Sequence, residues 1–505
     1  MAGTFFGFNT ALRGMQAQQR AIYTSAHNIA NANQEGYTRQ RVVMEATPAY
    51  PVPGMNHPGG SGWQSGTGVD IHETRRVRDQ FLDSQIRHES ASLGLWLQRR
   101  DVLQQVEVVF NEPSDTGFNT LLGQFWETWQ ELAQNAESSP VRTTVLETAK
   151  ALAEAFNHSA DQLETIIRDI DQIIELRVTE INSLARQIVD LNKQIKNIIL
   201  AGDQPNDLLD RRDLLLDQLA RITDFQVEEN TVTVDGVQVP DGQIKVILAG
   251  SYLVDISSSG ENVINQLTTA GGGEVQWEND NTTVAINNGE IKGLQEARAG
   301  VEAYLKQLDI LARGLAENIN RLHREGYDLS GEAVLGKEYE NFFVAGSRPP
   351  KAEDTSETGI TAKNIALNVN LHQDNTKIAA AATSTGEGDG ENALKIAQLW
   401  DRLYIVDKDN GTLLASDSGV TFEDYYRNFT ARLGVEAYEA TRMTDNQNTL
   451  VQQLSNRKES ISGVSLDEEM TDMIRYQRAY QAAARMITTL DSMLDKIING
   501  MGASR

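Results

Sequence analysis

The chain contains no cysteine. That excludes disulfides, thiolate metal sites and a cysteine nucleophile. It also contains no run of about 20 apolar residues, the length needed to cross a membrane as a helix, so no membrane insertion is expected. The N-terminus has no apolar h-region, and Arg13 and Arg20 interrupt it, so no cleaved secretory signal is expected. No Gly-rich phosphate loop with a following Lys is present, nor a G-x-S-x-G elbow. His72-Glu73 and His88-Glu89 lack the second His of a zinc-protease helix and read as surface residues. Gly386-Glu387-Gly388-Asp389-Gly390 and Asp407-Lys408-Asp409-Asn410-Gly411 lack EF-hand spacing and read as turns. Glu468-Glu469 sits where acids complement a helix dipole. No catalytic, metal or cofactor site follows, and the chain reads as a non-enzyme.

Positive charge is scarce as well. The formal net charge is −26, which argues against nucleic acid as a partner. Residues 1–100 are the exception, with ten Arg, no Lys and seven acids. A basic head on an acidic body suits steering of a partner or a neighbouring copy. The plainer reading is a solvated surface of mixed charge.

What is present is helical periodicity, strongest at the two ends. Apolar residues recur at Phe5, Phe8, Leu12, Met15, Ile22, Ala26 and Ile29. Near the C-terminus a seven-residue row runs Leu466, Met473, Tyr480, Ile487, Leu494, Met501, with a companion row Tyr476, Ala483, Leu490, Ile497. Both are narrow coiled-coil seams, able to pair the two termini. Between them, a helix is predicted over roughly 75–110 and another near Phe118–Ala136. A helix from about Val141 to Leu200 has Ile167, Ile174, Ile181, Ile188 and Ile195 in one row, and Leu163, Ile170, Leu184, Leu191 and Ile198 in the other. Arg177 is its exception. A returning helix is expected at Leu208–Ile222.

From Phe225 the period turns toward two, with Asp235-Gly236 and Asp241-Gly242 as hairpin turns and Gly271-Gly272-Gly273 as a loop. A helix resumes over Leu294–Leu322. Residues 327–390 read as loop-rich and strand-like. A short helix at Asn392–Leu403, a hairpin around Asn410-Gly411 and a long helix from Phe422 to Ile461 complete the chain. The fold class is mainly α with a β-rich insertion: paired terminal coiled-coil helices, a long-helix bundle and an outer β-rich domain. Residues 1–46 and 462–505 form the terminal inner domain and 47–74 a Pro/Gly-rich linker. Residues 75–224, 293–326 and 391–461 form the bundle, and 225–292 and 327–390 the β-rich insertions, expected to project from it.

Magnitudes separate the terminal seam from the others. About seven apolar side chains on the first helix give roughly 10–20 kcal/mol if fully buried. Ordering about 30 residues costs about 1–2 kcal/mol each in backbone entropy. Two narrow-seamed helices bury only part of that surface in each other. The terminal pair is therefore expected to be marginal alone and to fold against other copies.

The stretches Ala11-Leu12-Arg13-Gly14-Met15, Asn28-Ile29-Ala30-Asn31 and Gly36-Tyr37-Thr38-Arg39-Gln40 resemble the signature of bacterial flagellar axial proteins, the rod, hook and hook-associated subunits. Ser462–Met470 and Tyr476–Ala482 resemble that superfamily's closing motif. Within it, Tyr-x-Arg-Gln at 37–40 and the Ser-Gly-Val start are similar to hook-associated proteins of the hook–filament junction. Asn206–Asp213 and Asn318–Gly326 resemble the same family's interior. Gln34 departs from the family's usual Thr in the turn before Gly36, with an expected effect on local hydrogen bonding only.

The resemblance implies a structural subunit of the bacterial flagellum, outside the cell, exported by the flagellar type III apparatus. It implies as partners other copies in a ring around the axial channel, the hook protein, a filament-side junction protein and an export chaperone on the C-terminal helix. It assigns an assembly interface to Phe5, Phe8, Leu12, Met15, Ile22, Asn28, Ile29, Asn31, Gly36 and Tyr37, and to Leu466, Met473, Tyr476, Tyr480, Ile487, Leu490, Leu494 and Ile497. The competing readings are a hook or rod subunit, and, from other classes, a secreted coiled-coil effector or an enzyme seated in the β-rich insertions.

Overall fold

Long stretches free of Pro and Gly set the architecture. The computed structural model describes residues 4–50, 65–110, 117–234, 237–257, 260–347, 351, 353–384, 388–407 and 412–500. In chain order it runs α1 (Thr4–Asn31), β1 (Gln40–Ala46), β2 (Val69–Arg76), α2 (Gln80–Phe110), α3 (Phe118–Gln134), α4 (Ser139–Leu200) and α5 (Asn206–Ile222). The middle holds β3 (Gln226–Val234), β4 (Val237–Leu248), β5 (Ser251–Ile256), β6 (Asn262–Ile264), β7 (Leu267–Ala270), β8 (Glu274–Trp277) and α6 (Glu290–Arg324). Then come β9 (Phe343–Ala345), β10 (Ile365–Leu367), α7 (Val369–Gln373), α8 (Glu391–Ala397), β11 (Tyr404–Asp407), β12 (Thr412–Ala415), α9 (Phe422–Ser462) and α10 (Leu466–Gly500). Among the described residues no helix is long and apolar enough to cross a membrane.

The spine is α4, 62 residues and thus about 90 Å long at 1.5 Å per residue. Its apolar rows bury Leu163, Ile170, Ile174, Ile181, Leu184, Ile188, Leu191 and Ile195. Arg177 faces the same core because it has a partner there. Its Nε lies 2.7 Å from the carboxylate of Glu290, which is buried and also takes Arg221 at 2.6 Å. Helix α2 lies against α6 and α9. The crossing with α6 is close: a Cβ on Gly293 would stand 2.3 Å from the Leu95 carbonyl oxygen.

The β segments are laid along α4. The antiparallel sheet β3-β4-β5-β6 covers its C-terminal part, where Gly242 packs against Ile195 and Ile199. Asp241-Gly242 is not a turn. β4 runs straight through it, with a register shift opposite Glu229/Thr231. The turn lies instead at Ala249-Gly250, both at positive φ, the geometry of a tight two-residue hairpin. Gly271-Gly272-Gly273 does turn the chain between β7 and β8. Asp235-Gly236 and Asn410-Gly411 lie outside the described residues.

Two further segments differ from expectation. The stretch 47–74, expected to be a linker, ends in β2, which pairs with β1 along α1. Only two short strands, β9 and β10, occur among the described residues of 327–390, and this segment does not project. Phe342, Phe343, Ile360, Ile365 and Ile378 are buried in the helical core. The sequence there lacks long periodic runs because its core contacts come from scattered loop positions. The motif Asn318–Gly326 holds it: Asn320 bonds the Phe343 backbone, and His323 bonds Glu340 and Ala379.

One apolar core links these elements, from Val102 to Ala440. Among the described residues it includes none from α1, β1, β2 or α10. The terminal helices form a separate layer.

Candidate assembly site at the terminal helices

Helix α1 stops at Asn31, and the chain reverses through Gly36. Gly36 has φ +78°, and a Cβ there would lie 3.2 Å from Leu214 of α5, so both conformation and space favour glycine. The side chain of Gln34 is exposed in this turn, and its backbone carbonyl accepts from Tyr37 N at 3.2 Å.

Asn28, buried, then clasps the start of β1. Its Nδ2 donates to the Gln40 carbonyl at 2.9 Å, and its Oδ1 accepts from Gln40 N at 3.0 Å. The Tyr37 hydroxyl donates to the same Oδ1 at 2.8 Å. With that proton committed, His27 Nδ1, 2.9 Å from the Tyr37 oxygen, must be the donor there. Burial, and then the carboxylates Asp207, Asp210 and Glu469, hold the Tyr37 phenol above its ordinary pKa.

The next residues join three elements. Thr38 N donates to Asp210 of α5 at 3.0 Å, and Gln40 Nε2 to Asp207 at 2.7 Å. Arg39 reaches the other way: Nε to Glu469 at 2.7 Å and Nη1 to Glu468 at 2.9 Å, both in the first turn of α10. Its N–H donates to Ser462 O at the end of α9. Behind this lies an ionic collar. Arg76 spans Asp210 and Asp213; Arg78 meets Asp83 and Asp213; Arg87 bonds Asp217; Lys458 of α9 bridges Asp83 and Asp217. Burial alone would raise the Asp213 carboxyl. Arg78, Arg76 and Arg87 outweigh it and hold the group below the usual carboxylate range.

The assigned interface residues divide into three groups. Phe8, Leu12, Met15, Ile22 and Ile29 are half-buried, while the buried positions of α1 among the described residues are Ala17, Ala21, Ser25 and Asn28. On α10, Met473, Tyr476, Tyr480, Ile487, Leu490 and Leu494 are half-buried, and Leu490 lies against Gly7 of α1. Leu466 stands apart from this seam, 47 % exposed. The third group belongs to the turn: Tyr37 and Asn28 meet in it, Gly36 makes it, and Asn31 donates its side-chain amide back to the His27 carbonyl while its own carbonyl accepts from Gln34 N. The side chains of Phe5 and Ile497 lie outside the described residues. Among the described residues, the one buried side chain of α10 is Glu469, a carboxylate.

Sequence reasoning missed the collar. Glu468-Glu469 complements a helix end, as read, but also anchors Arg39. Asp207, Asp210, Asp213 and Asp217 recur at spacings of three and four, an acidic stripe on one face of α5. Together with ten arginines in the first hundred residues, that stripe was the available signal. The basic head is largely internally paired.

Comparisons with known proteins agree with this layout. The model described as flagellar hook-associated protein FlgK helical domain matches residues 103–343. The termini match two others: flagella basal body rod protein over 8–38, and flagellar basal body rod FlgEFG protein C-terminal over 459–500. Flagellar hook-associated protein 1 of Bacillus subtilis (strain 168) is 34 % identical over 527 residues, covering 99 % of each chain. The chain belongs to the flagellar hook-associated protein 1 family. The Escherichia coli (strain K12) member is 25 % identical, covering 97 % of this chain and 99 % of that one. The flagellar hook junction protein FlgK from Burkholderia pseudomallei shares the fold, with a TM-score of 0.54 at 16 % identity, over 75 % of this chain and all of that one. In this hook-associated protein 1 family member the two rod-type matches fall on the terminal layer and the helical-domain match on the core. Among the described residues no group of His, Asp and Glu is arranged to hold a metal ion.

Proposed function

We propose that this chain is a structural subunit of the bacterial flagellum that forms the hook–filament junction. It leaves the cell through the flagellar type III apparatus and assembles on the distal end of the hook. It works as a building block and carries no catalytic role. The observation that carries the assembly half of this reading is the incompleteness of the terminal layer. Helix α10 has 35 residues and no buried apolar side chain among those described. An amphipathic helix gains most of its stability by burying a face, so this one gains it when neighbouring copies cover the pair.

The described geometry suits that role. The collar fixes where the pair leaves the body, and the pair supplies apolar surface for other copies, for hook protein on one side and for a filament-side protein on the other. The seam on α10 is also the surface an export chaperone would cover before secretion. Head-to-tail contacts between identical subunits generate rings or tubes, as a layer between hook and filament requires.

A strain lacking the gene, viewed by electron microscopy, is expected to show bare hooks, with flagellin lost to the medium. Normal filaments on that strain would overturn the reading. A hook or rod subunit is the second reading, favoured by the rod-type matches at both termini. Purified chain added to hook stubs separates the two: a thin layer supports the junction, and long tubes support the hook.

A further inference from the structure

Charge is segregated along the terminal pair. No acid occurs in residues 4–34 or in 473–490. The basic residues there are Arg13 and Arg20 on α1 and Arg475, Arg478 and Arg485 on α10. Gly7 lies against Leu490 and Arg39 beside Glu469, so the helices run antiparallel. At that register Arg13 stands level with Arg485, and Arg20 with Arg478. The pair thus carries two tiers of arginine, about 10 Å apart. All four are exposed, and none forms an ion pair among the described residues. Below the tiers, toward the collar, α10 begins with Asp467, Glu468, Glu469 and Asp472.

The outward face of α10 follows the same division. Asp467, Ile474, Arg478 and Arg485 recur at spacings of seven, four and seven, which places them on one side of the helix, away from the row of Leu490. Exposed Leu466, Met470 and Ile474 adjoin the acidic end of this face. Two copies side by side at equal height would set arginine tiers against arginine tiers. A shift of about ten residues, ~15 Å, sets Arg478 of one copy against the acidic first turn of the next.

We propose that the outward face of the terminal pair docks on a second copy of this chain displaced along the helix axis by about ten residues, Arg478 of one copy meeting Asp467 and Glu468 of the other. The inference rests on the reading of the chain as a self-assembling flagellar subunit and adds its register. The contact is head-to-tail, so each copy offers Arg478 to one neighbour and the acids to another.

The absence of cysteine makes the test clean. In a strain lacking the native gene, the full chain carries Asp467→Cys with Arg478→Cys, or either change alone, and assembled flagella are treated with a mild oxidant. Eleven residues of helix separate the two sites by about 16 Å, beyond the Cα separation of roughly 4.4–6.8 Å that a disulfide spans, so no link forms within one helix. The double variant is expected to give a ladder of linked multimers, and each single variant only monomers. Dimers from Arg478→Cys alone would show equal-height packing and overturn the proposal. So would an incorporated double variant that stays monomeric or links only to hook protein. Charge reversal decides the matter without cross-linking. Arg478→Glu is expected to cut incorporation at least tenfold with an unchanged circular dichroism spectrum, and undiminished incorporation would overturn the proposal. A native chain that never reaches the hook counts against the junction reading; incorporation without the offset link counts against the register alone.

Discussion

His323 is fully buried near the end of α6, and its ring is committed on both sides. Nδ1 donates to the Glu340 carbonyl at 3.0 Å, and Nε2 accepts from Ala379 N at 3.1 Å. Protonation would turn that acceptor into a donor aimed at an N–H, in a site with no solvent. Burial pushes the imidazole down to about 4 from 6.5. The unfolded chain takes up a proton near pH 6.5, whereas the folded chain refuses it until about pH 4. Stability is therefore fully present above 6.5 and is lost as pH falls toward 4. The slope approaches 1.4 kcal/mol per pH unit, about 3 kcal/mol in all. Between pH 6.5 and 5.0, before most carboxylates titrate, the loss is about 2 kcal/mol. Urea unfolding of the helical core at both pH values measures it, with His323→Gln as the non-titrating control. The native chain is expected to lose about 2 kcal/mol more than the variant over that interval. Equal losses, or an imidazole carbon resonance of His323 titrating near 6.5, would refute the reasoning.

Other consequences concern the terminal layer and its mounting. Arg39→Ala leaves Glu469 buried without its cation, which costs about 3 kcal/mol; hydrogen exchange is expected to speed in residues 466–490 and stay unchanged in α4. Leu490→Asp with Leu494→Asp is expected to leave the thermal unfolding of the core intact while abolishing incorporation, since neither residue belongs to that core; motility supported by this variant would mean the seam is no interface. Gly293→Ala drives a methyl into the Leu95 carbonyl and is expected to lower core stability by about 3 kcal/mol in denaturant titration. Asn28→Leu, similar in volume, is expected to unpair the Gln40 backbone and abolish incorporation while leaving far-ultraviolet helicity nearly unchanged.

The long helices were legible because their apolar rows repeat over many turns. The rows at 163–198 and 294–322 became core, and the terminal rows became a seam only half closed. The hairpin β1–β2 was not legible. Its strands lie over twenty residues apart in sequence, separated by a Pro/Gly-rich stretch, and pairing across such a distance leaves no local period. The collar was hidden for a related reason: an ion pair such as Arg76–Asp210 joins positions 134 residues apart, and either charge alone reads as a solvated surface. Residues 327–390 misled in the opposite direction. Their β-like composition marks chain that is extended but clamped into a helical core.

What clamps Phe343 among them is a device that recurs four times among the described residues. Asn28 on α1, Asn182 and Asn192 on α4, and Asn320 on α6 each bond both the N–H and the C=O of a single extended residue: Gln40, Leu267, Ile244 and Phe343. All four asparagines are buried. A carboxamide presents an N–H donor and a C=O acceptor side by side at about the spacing of a neighbouring strand, so each asparagine ends an open strand edge where no further strand arrives. Ile244 illustrates this, since β5 pairs with β4 only from Val246 onward. Asparagine is a poor helix former, and leaving a backbone pair buried and unbonded costs more than the propensity lost. The same solution mounts the β segments on α4 and the terminal hairpin on α1. The rigid spine and the terminal layer are thus built by one rule, and they differ in what covers the helix afterwards: apolar core for α4, and for α1 and α10 only each other and the β1–β2 hairpin, which leave the seam half-buried.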